Sequence, residues 1–376
     1  MLSRRGLLKS GSSVLALQAL WSFAASPLSA ASAKAAGAAG TEEPSDTGAL
    51  TTAQLLRRAR SWTYQLQNYD ISQLRASNAD LLVVDETIGS EAAGKRPGKF
   101  VKELQKKPDG SRRIVLAYLS IGEAEDYRYY WDPAWIETAD SAASSNEPTT
   151  SGLKEPSRSK SHDRSQRPER RLSSKAPPWL GDENEAWSGN YTVRFENPDW
   201  QAIFLEGKNS YISRIINAGF DGVYLDRVDA FYDHPGNLQD PASTMVAFVS
   251  RLAEKARRLK PGFLVVPQNG EELLVQPGYV DIIDAIAKED LLYGSPDEGE
   301  ANSNGQIANS VAWLAVAQRK GKPVFVVEYL DDSDEIAHAR QELNRLGYIP
   351  TFAPRMLDEI SAHALPQTDS HSTSHR

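Results

Sequence analysis

Six carboxylates in this chain stand at the ends of short apolar runs. Asp70 follows residues 62–67, Asp85 follows 81–84 and Glu123 follows 114–119. Asp226 closes 223–225, Glu289 closes 280–287 and Glu328 closes 324–327. An apolar strand that runs into an acid is how parallel α/β folds build active sites, at the carboxyl ends of their strands. Two carboxyl groups flanking a glycosidic bond can cleave it: one protonates the leaving oxygen, and the other acts as nucleophile or base. Crowding several carboxylates raises one pKa and keeps that group protonated. A surface acid or a salt bridge is the commoner use of any single strand-tip carboxylate. Asp226 leads the candidates because it ends an uninterrupted apolar strand within residues 219–229, with Arg227 next to it. Asp229, three residues on, reads as a support for the following loop. Glu289 ends its own run in the same manner.

These acids need elements to position them. Strands are expected near residues 62, 81, 114, 222, 263, 281, 324 and 349, mostly separated by helical segments. The run at 114–119 is continuously apolar, as in a parallel sheet buried on both faces. Asn197 and Pro198 open a helical pattern that continues through residues 200–218 and stops at Gly219. Helices are also expected over 244–259, 307–319 and 333–346. Eight strands alternating with helices give an α/β fold, a (β/α)8 TIM barrel, rather than an open sheet. The connection after the first strand is short for a crossover helix, so a somewhat irregular barrel is expected. No glycine-rich loop of the dinucleotide or Walker kind is present.

The chain has 376 residues, 40% of them hydrophobic, and a formal net charge of -8, which argues against a nucleic-acid partner. Without cysteine there are no disulfides, no thiolate nucleophile and no cysteine metal site. Four of the six histidines lie in the last forty residues, and no His-x-x-x-His pattern marks a metal. No cofactor is called for, although carboxylate-only magnesium or calcium binding stays open. Ser3-Arg4-Arg5-Gly6-Leu7-Leu8-Lys9, a mild apolar run over 14–25 and Ala31-Ser32-Ala33 read as a twin-arginine export signal over residues 1–33. A periplasmic or extracellular bacterial protein follows, with no stable membrane span in the mature chain; a retained anchor is the alternative. Residues 34–55 read as a flexible leader and 56–362 as the barrel. Residues 139–178 read as a disordered basic insertion, and 363–376 as a disordered tail. Aromatic residues Tyr127, Tyr129, Tyr130, Trp131 and Trp135 fit either a sugar-stacking cleft or a hydrophobic cluster under a loop.

Segments 117–128 (AYLSIGEAEDYR), 219–229 (GFDGVYLDRVD), 267–271 (PQNGE) and 288–290 (KED) together resemble the endo-alpha-1,4-polygalactosaminidase family of glycoside hydrolases. The resemblance runs in order from about Trp62 to Pro354; the basic insertion is longer than that pattern expects. It implies a secreted barrel hydrolase that cuts alpha-1,4-linked galactosamine-rich polysaccharide internally. It further implies Asp226 as nucleophile or base and Glu289 as general acid. Asp70, Asp85, Tyr118, Glu123, Asp229, Asn269, Glu328 and Tyr329 are assigned to the substrate site. Two alternatives are a non-catalytic carbohydrate-binding or matrix protein on the same scaffold, and a sugar-phosphate lyase using Lys288 as a Schiff-base lysine. Oligomeric state is not legible.

Overall fold

The computed structural model describes residues 50–88, 97–138, 170–234 and 238–361. The export signal, residues 34–49 of the leader, residues 139–169 of the insertion and the tail from 363 lie outside the described residues.

In chain order the strands are β1 (Trp62–Tyr64), β2 (Leu81–Asp85), β3 (Ile114–Ser120), β4 (Glu123–Glu125), β5 (Ile136–Thr138), β6 (Arg170–Leu172) and β7 (Leu180–Glu183). They continue with β8 (Asn190–Val193), β9 (Gly222–Asp226), β10 (Leu264–Pro267), β11 (Ile286–Glu289), β12 (Val324–Glu328) and β13 (Ile349–Phe352). Eight of them are parallel, in one sheet ordered β1-β2-β3-β9-β10 and another ordered β11-β12-β13. The sheets meet at both edges. Gln268 bridges Ala287 in parallel register, and the Asn269 N–H donates to the Ala287 carbonyl at 2.9 Å. At the other edge the Trp62 indole N–H donates to the Ile349 carbonyl at 2.9 Å, and the Leu66 N–H to the Leu357 carbonyl at 2.8 Å.

Alternation along the strands divides the core in two, because successive side chains point to opposite faces. Trp62, Tyr64, Leu116, Tyr118, Tyr224, Val266, Phe325 and Val327 cluster on one face. Val84, Val115, Ala117, Val223, Leu225, Val265 and Val326 cluster on the other, with the helices. The helix Pro241–Leu259 shows why it docks there: Met245, Phe248, Val249, Leu252, Ala253 and Ala256 recur at helical spacing and are buried. Asp240 caps its start through the Ser243 N–H, and Pro241 occupies its first turn.

Several expectations need correction. The sixth parallel strand starts at Ile286, not near 280, because Tyr279–Ile282 forms a helical turn behind left-handed Gly278. A short buried apolar run carries no periodicity that separates the two states. Residues 200–218 form two helices, Pro198–Leu205 and Tyr211–Asn217. Gly207 at φ +78° lies in the break, and Ser210 caps the second helix. The helix Thr52–Arg58 begins inside the segment read as flexible leader, held by a capping box between Thr51 and Gln54. Order also resumes before residue 178: β6 pairs antiparallel with β5, and β4, β8 and β7 form a small antiparallel sheet beyond the end of β3.

Candidate active site

Asp226 and Glu289 line one cleft at the carboxyl ends of the parallel strands. Asp226 is the last residue of β9 and only 2% exposed. Its Oδ2 accepts from the Tyr118 hydroxyl at 2.6 Å, and Tyr118 stands on the adjacent strand β3. Its Oδ1 accepts from the Gln268 amide at 3.1 Å and from the Arg227 N–H at 2.7 Å. Glu289 ends β11 and is half-buried. Its Oε2 accepts from the Asn269 amide at 2.9 Å, and its Oε1 accepts from the Tyr329 hydroxyl. Each carboxylate is thus bound by a tyrosine, Tyr118 on β3 and Tyr329 just past β12.

Backbone geometry at these tips is unusual. Arg227, Asn269 and Asp290, each just past a strand tip, have φ of 59°, 62° and 52°. Left-handed backbone costs a non-glycine residue roughly 1–3 kcal/mol and persists only where the surroundings enforce it. Here each residue gains compensating bonds. The Arg227 N–H binds Asp226, the Asn269 side chain clamps Glu289, and Asp290 takes a bidentate pair from Arg355 at 2.8 and 3.1 Å. Gly122 is required nearby, since a Cβ there would overlap the Arg227 carbonyl oxygen.

The structure brings some of the other expected residues to this cleft and not others. Tyr118 and Tyr329 line it, and Asn269 reaches it through Glu289. Arg355 stacks over the Tyr329 ring at 4.1 Å. Burial, with help from Glu289 and Asp290, pushes the Tyr329 phenol well above its ordinary range, so it keeps its proton. Glu123 is buried one layer back, ion-paired to Arg227 at 3.1 Å and bound by Asn184 and Asn190. Asp229 is half-buried against Arg227 at 3.5 Å; burial raises its pKa, and the neighbouring Asp226 and Asp233 add to that.

Three acids serve structure elsewhere. Asp70 is exposed and caps the helix Ile71–Ala76 through the Ser72 and Gln73 N–H groups. Asp85 is buried against the Arg128 guanidinium at 2.9 and 3.0 Å. Burial would raise its pKa, but the guanidinium overrides this and holds it low. Glu328 is fully buried and accepts from the Leu292 and Tyr293 N–H groups, so it fixes the segment that follows Glu289. Burial pushes it up to about 8. Lys288 is fully buried and ion-paired to Glu271 at 3.0 Å, an environment unlike that of a lysine awaiting a carbonyl substrate. Of the aromatic group, Tyr130 and Trp135 pack on Trp179, and Trp131 packs on Tyr191, which is the hydrophobic-cluster reading.

Other cleft residues escaped the sequence reading. Tyr64 ends β1, so the strand-tip rule that selected the acids would have selected it too. Gln268 lies beside Asn269 in the 267–271 segment. Trp187 comes from the β7–β8 connection and Asn190 opens β8, while Arg355 and Met356 come from the loop after β13. No local signal marks those four, because they arrive by excursions from the main sheets. Among the described residues, no group of three or more His, Cys, Asp or Glu is arranged to hold a metal ion. Nor is any helix there long and apolar enough to cross a membrane.

Comparison with known proteins places this site in a family. An uncharacterized protein of Methanocaldococcus jannaschii, MJ1477, is 33% identical over 316 residues, covering 80% of this chain and 78% of that one. An uncharacterized protein of Thermotoga maritima is 30% identical over 317 residues, covering 80% and 83%. The glycoside hydrolase domain of PelA from Pseudomonas aeruginosa superposes with a TM-score of 0.54 at 18% identity, covering 81% of this chain and 98% of that domain. At that identity the likeness is one of fold. The model of glycoside-hydrolase family GH114 matches residues 161–367, more than half of the sequence. The chain belongs to glycoside-hydrolase family GH114.

Proposed function

We propose that this protein cuts internal alpha-1,4 bonds of a galactosamine-rich polysaccharide, with Asp226 as nucleophile or base and Glu289 as general acid. The observation that carries the reading is a cleft lined by both carboxylates, each bound by a tyrosine hydroxyl. Three donors converge on Asp226, which suits a group that works as an anion. Glu289 differs in being half-buried at the cleft where Asp226 is 2% exposed; like Asp226 it meets a tyrosine hydroxyl, and a hydroxyl can donate or accept. Such a partner tolerates both the protonated and the ionised carboxyl, as a proton-transferring group requires. Glu289 gives its proton to the glycosidic oxygen as the bond from C1 breaks. Asp226 either bonds to C1 itself or takes a proton from the water that does.

A deacetylated amino sugar is cationic. Among the charged groups of the cleft lining, Glu125 is paired with Arg128 and Arg355 with Asp290, and Glu289 carries the proton it gives, which leaves the Asp226 carboxylate as the net charge. The resulting negative field favours a cationic chain. We further propose that the eight parallel strands act as one irregular (β/α)8 barrel, a reading supported by hydrogen bonds across both sheet edges.

The test uses partly deacetylated alpha-1,4-galactosamine oligomers, with products read by reducing ends and mass. Asp226→Asn and Glu289→Gln are each expected to lose about 10²–10⁴-fold in kcat while staying folded. Full activity in either substitution rejects the assignment. Turnover of neutral alpha-glucans alone rejects the substrate.

A further inference from the structure

A fully buried lysine lies directly beside the proposed acid in sequence, and the reaction described above does not use it. Lys288 precedes Glu289 on β11, and its ammonium sits 3.0 Å from Oε1 of Glu271, itself 2% exposed. Ser310 donates to the same Glu271 oxygen at 2.6 Å. A buried ion pair is seldom a net source of stability, so its presence at a strand tip calls for another explanation. The ammonium also faces Oδ1 of Asn269 at 3.5 Å, the outer limit of hydrogen-bond reach.

Asn269 makes a two-point clamp. Its Oδ1 accepts from the Glu289 N–H at 3.1 Å, and its Nδ2 donates to Glu289 Oε2 at 2.9 Å. An amide could turn over and exchange these ends. The Glu289 N–H and the Lys288 ammonium are both obligatory donors, so the end that faces them must be the oxygen. Nδ2 is thereby forced towards Oε2, which always receives a donor. The exchangeable proton of Glu289 is left to Oε1, beside Tyr329.

We infer that Lys288, held by Glu271, is a positioning residue that fixes the Asn269 amide so that Glu289 gives its proton from one oxygen only. The inference rests on the reading of Glu289 as the acid. The other groups around Glu289 are Asp226 and Tyr224 from β9, Tyr329 after β12, Asp290 beside it and Arg355 after β13. Removing Lys288 and Glu271 together leaves the net charge among these groups unchanged.

The test is a double-mutant cycle on the full chain. The paired substitution Lys288→Met with Glu271→Met replaces the ions by apolar side chains, a change that buried ion pairs often tolerate. It is made in the wild-type and in the Asn269→Ser background. In wild type we expect kcat to fall roughly 10–100-fold with KM within about threefold. The alkaline limb of the pH profile should move upward, because an amide held by one donor in place of two donates less firmly to Oε2 and so favours the protonated acid. In the Asn269→Ser background the pair should cost nothing further. A folded paired variant with wild-type kcat and pH profile overturns the inference, and so does an equal loss in both backgrounds. If the paired variant does not fold, Glu271→Gln alone takes its place in the same cycle, and the same two results overturn the inference. Wild type and Glu289→Gln run alongside; equal rates for those two reject the acid assignment instead. Nitrogen-15 spectra of the Asn269 side chain report on the clamp without any turnover. Its amide protons should be protected from solvent in wild type and lose that protection in the paired variant, and protection in both overturns the inference.

Discussion

The carboxylates of this chain differ less in their sequence surroundings than in what each one touches. Asp226 and Asp70 both follow strand-like runs, yet Asp226 is buried with three donors and Asp70 is exposed as a helix cap. That difference makes two predictions. Tyr118→Phe removes a 2.6 Å hydrogen bond to Asp226 and leaves the ring packed. A hydrogen bond to a charged group contributes about 1.5–3 kcal/mol, so kcat should fall roughly 10–150-fold, with some loss of Tm as well because the buried Asp226 loses a donor. Reducing-end assays beside thermal melts decide it, and an unchanged kcat removes Tyr118 from the site. Asp70→Ala should act on stability alone. It should lower Tm slightly through the lost cap and leave kcat/KM where it was. A large drop in kcat/KM would return Asp70 to substrate binding.

At the level of elements, most of the main-sheet plan was legible, because a strand buried on both faces has to be written as an apolar run. The strands at Trp62, Leu81, Ile114, Gly222, Leu264, Val324 and Ile349 fall at or within a residue of expectation. The helical turn at Tyr279–Ile282 was not legible, since four residues are too few to show a period. The pair Asp226 and Glu289 could be named only through family resemblance, because the tip of β12 has the same form. Glu328 stands there, bound to the N–H groups of Leu292 and Tyr293, and its role is to hold the segment after β11. Its pKa of about 8 makes that role measurable. Between the ordinary glutamate value and about 8 the folded chain holds one proton more than the unfolded chain. Stability therefore falls as pH rises through that window, by up to about 1.4 kcal/mol per pH unit. Glu328→Gln preserves the shape of the neutral acid and should flatten the slope. Urea midpoints at pH 5, 7 and 9 test this, and parallel slopes for the two proteins would count against a neutral Glu328.

Over the whole molecule, what matters is whether the two parallel sheets behave as one body. The catalytic carboxylates proposed here come from different sheets, Asp226 from the five-stranded one and Glu289 from the three-stranded one. Their spacing is therefore only as firm as the edges where the sheets meet. One edge lies within the site itself, at Gln268, Asn269 and Ala287. The other lies at the amino-terminal end of β1, where the Trp62 indole binds the Ile349 carbonyl. Trp62 is fully buried against Tyr64, Tyr224 and Phe325, so both sheets share its ring. Trp62→Phe keeps much of that packing but removes the donor and leaves the Ile349 carbonyl without it. About 1–3 kcal/mol should be lost from the whole unit, a fall of several degrees in Tm. If the sheets form one cooperative barrel, calorimetry should still give a single transition with equal calorimetric and van't Hoff enthalpies. The loss should appear equally in far-ultraviolet and aromatic signals. Two separated transitions, or a Tm that does not move, would mean that the edge at Trp62 joins nothing. The geometry between Asp226 and Glu289 would then depend on the Gln268–Ala287 edge and the Leu66–Leu357 bond.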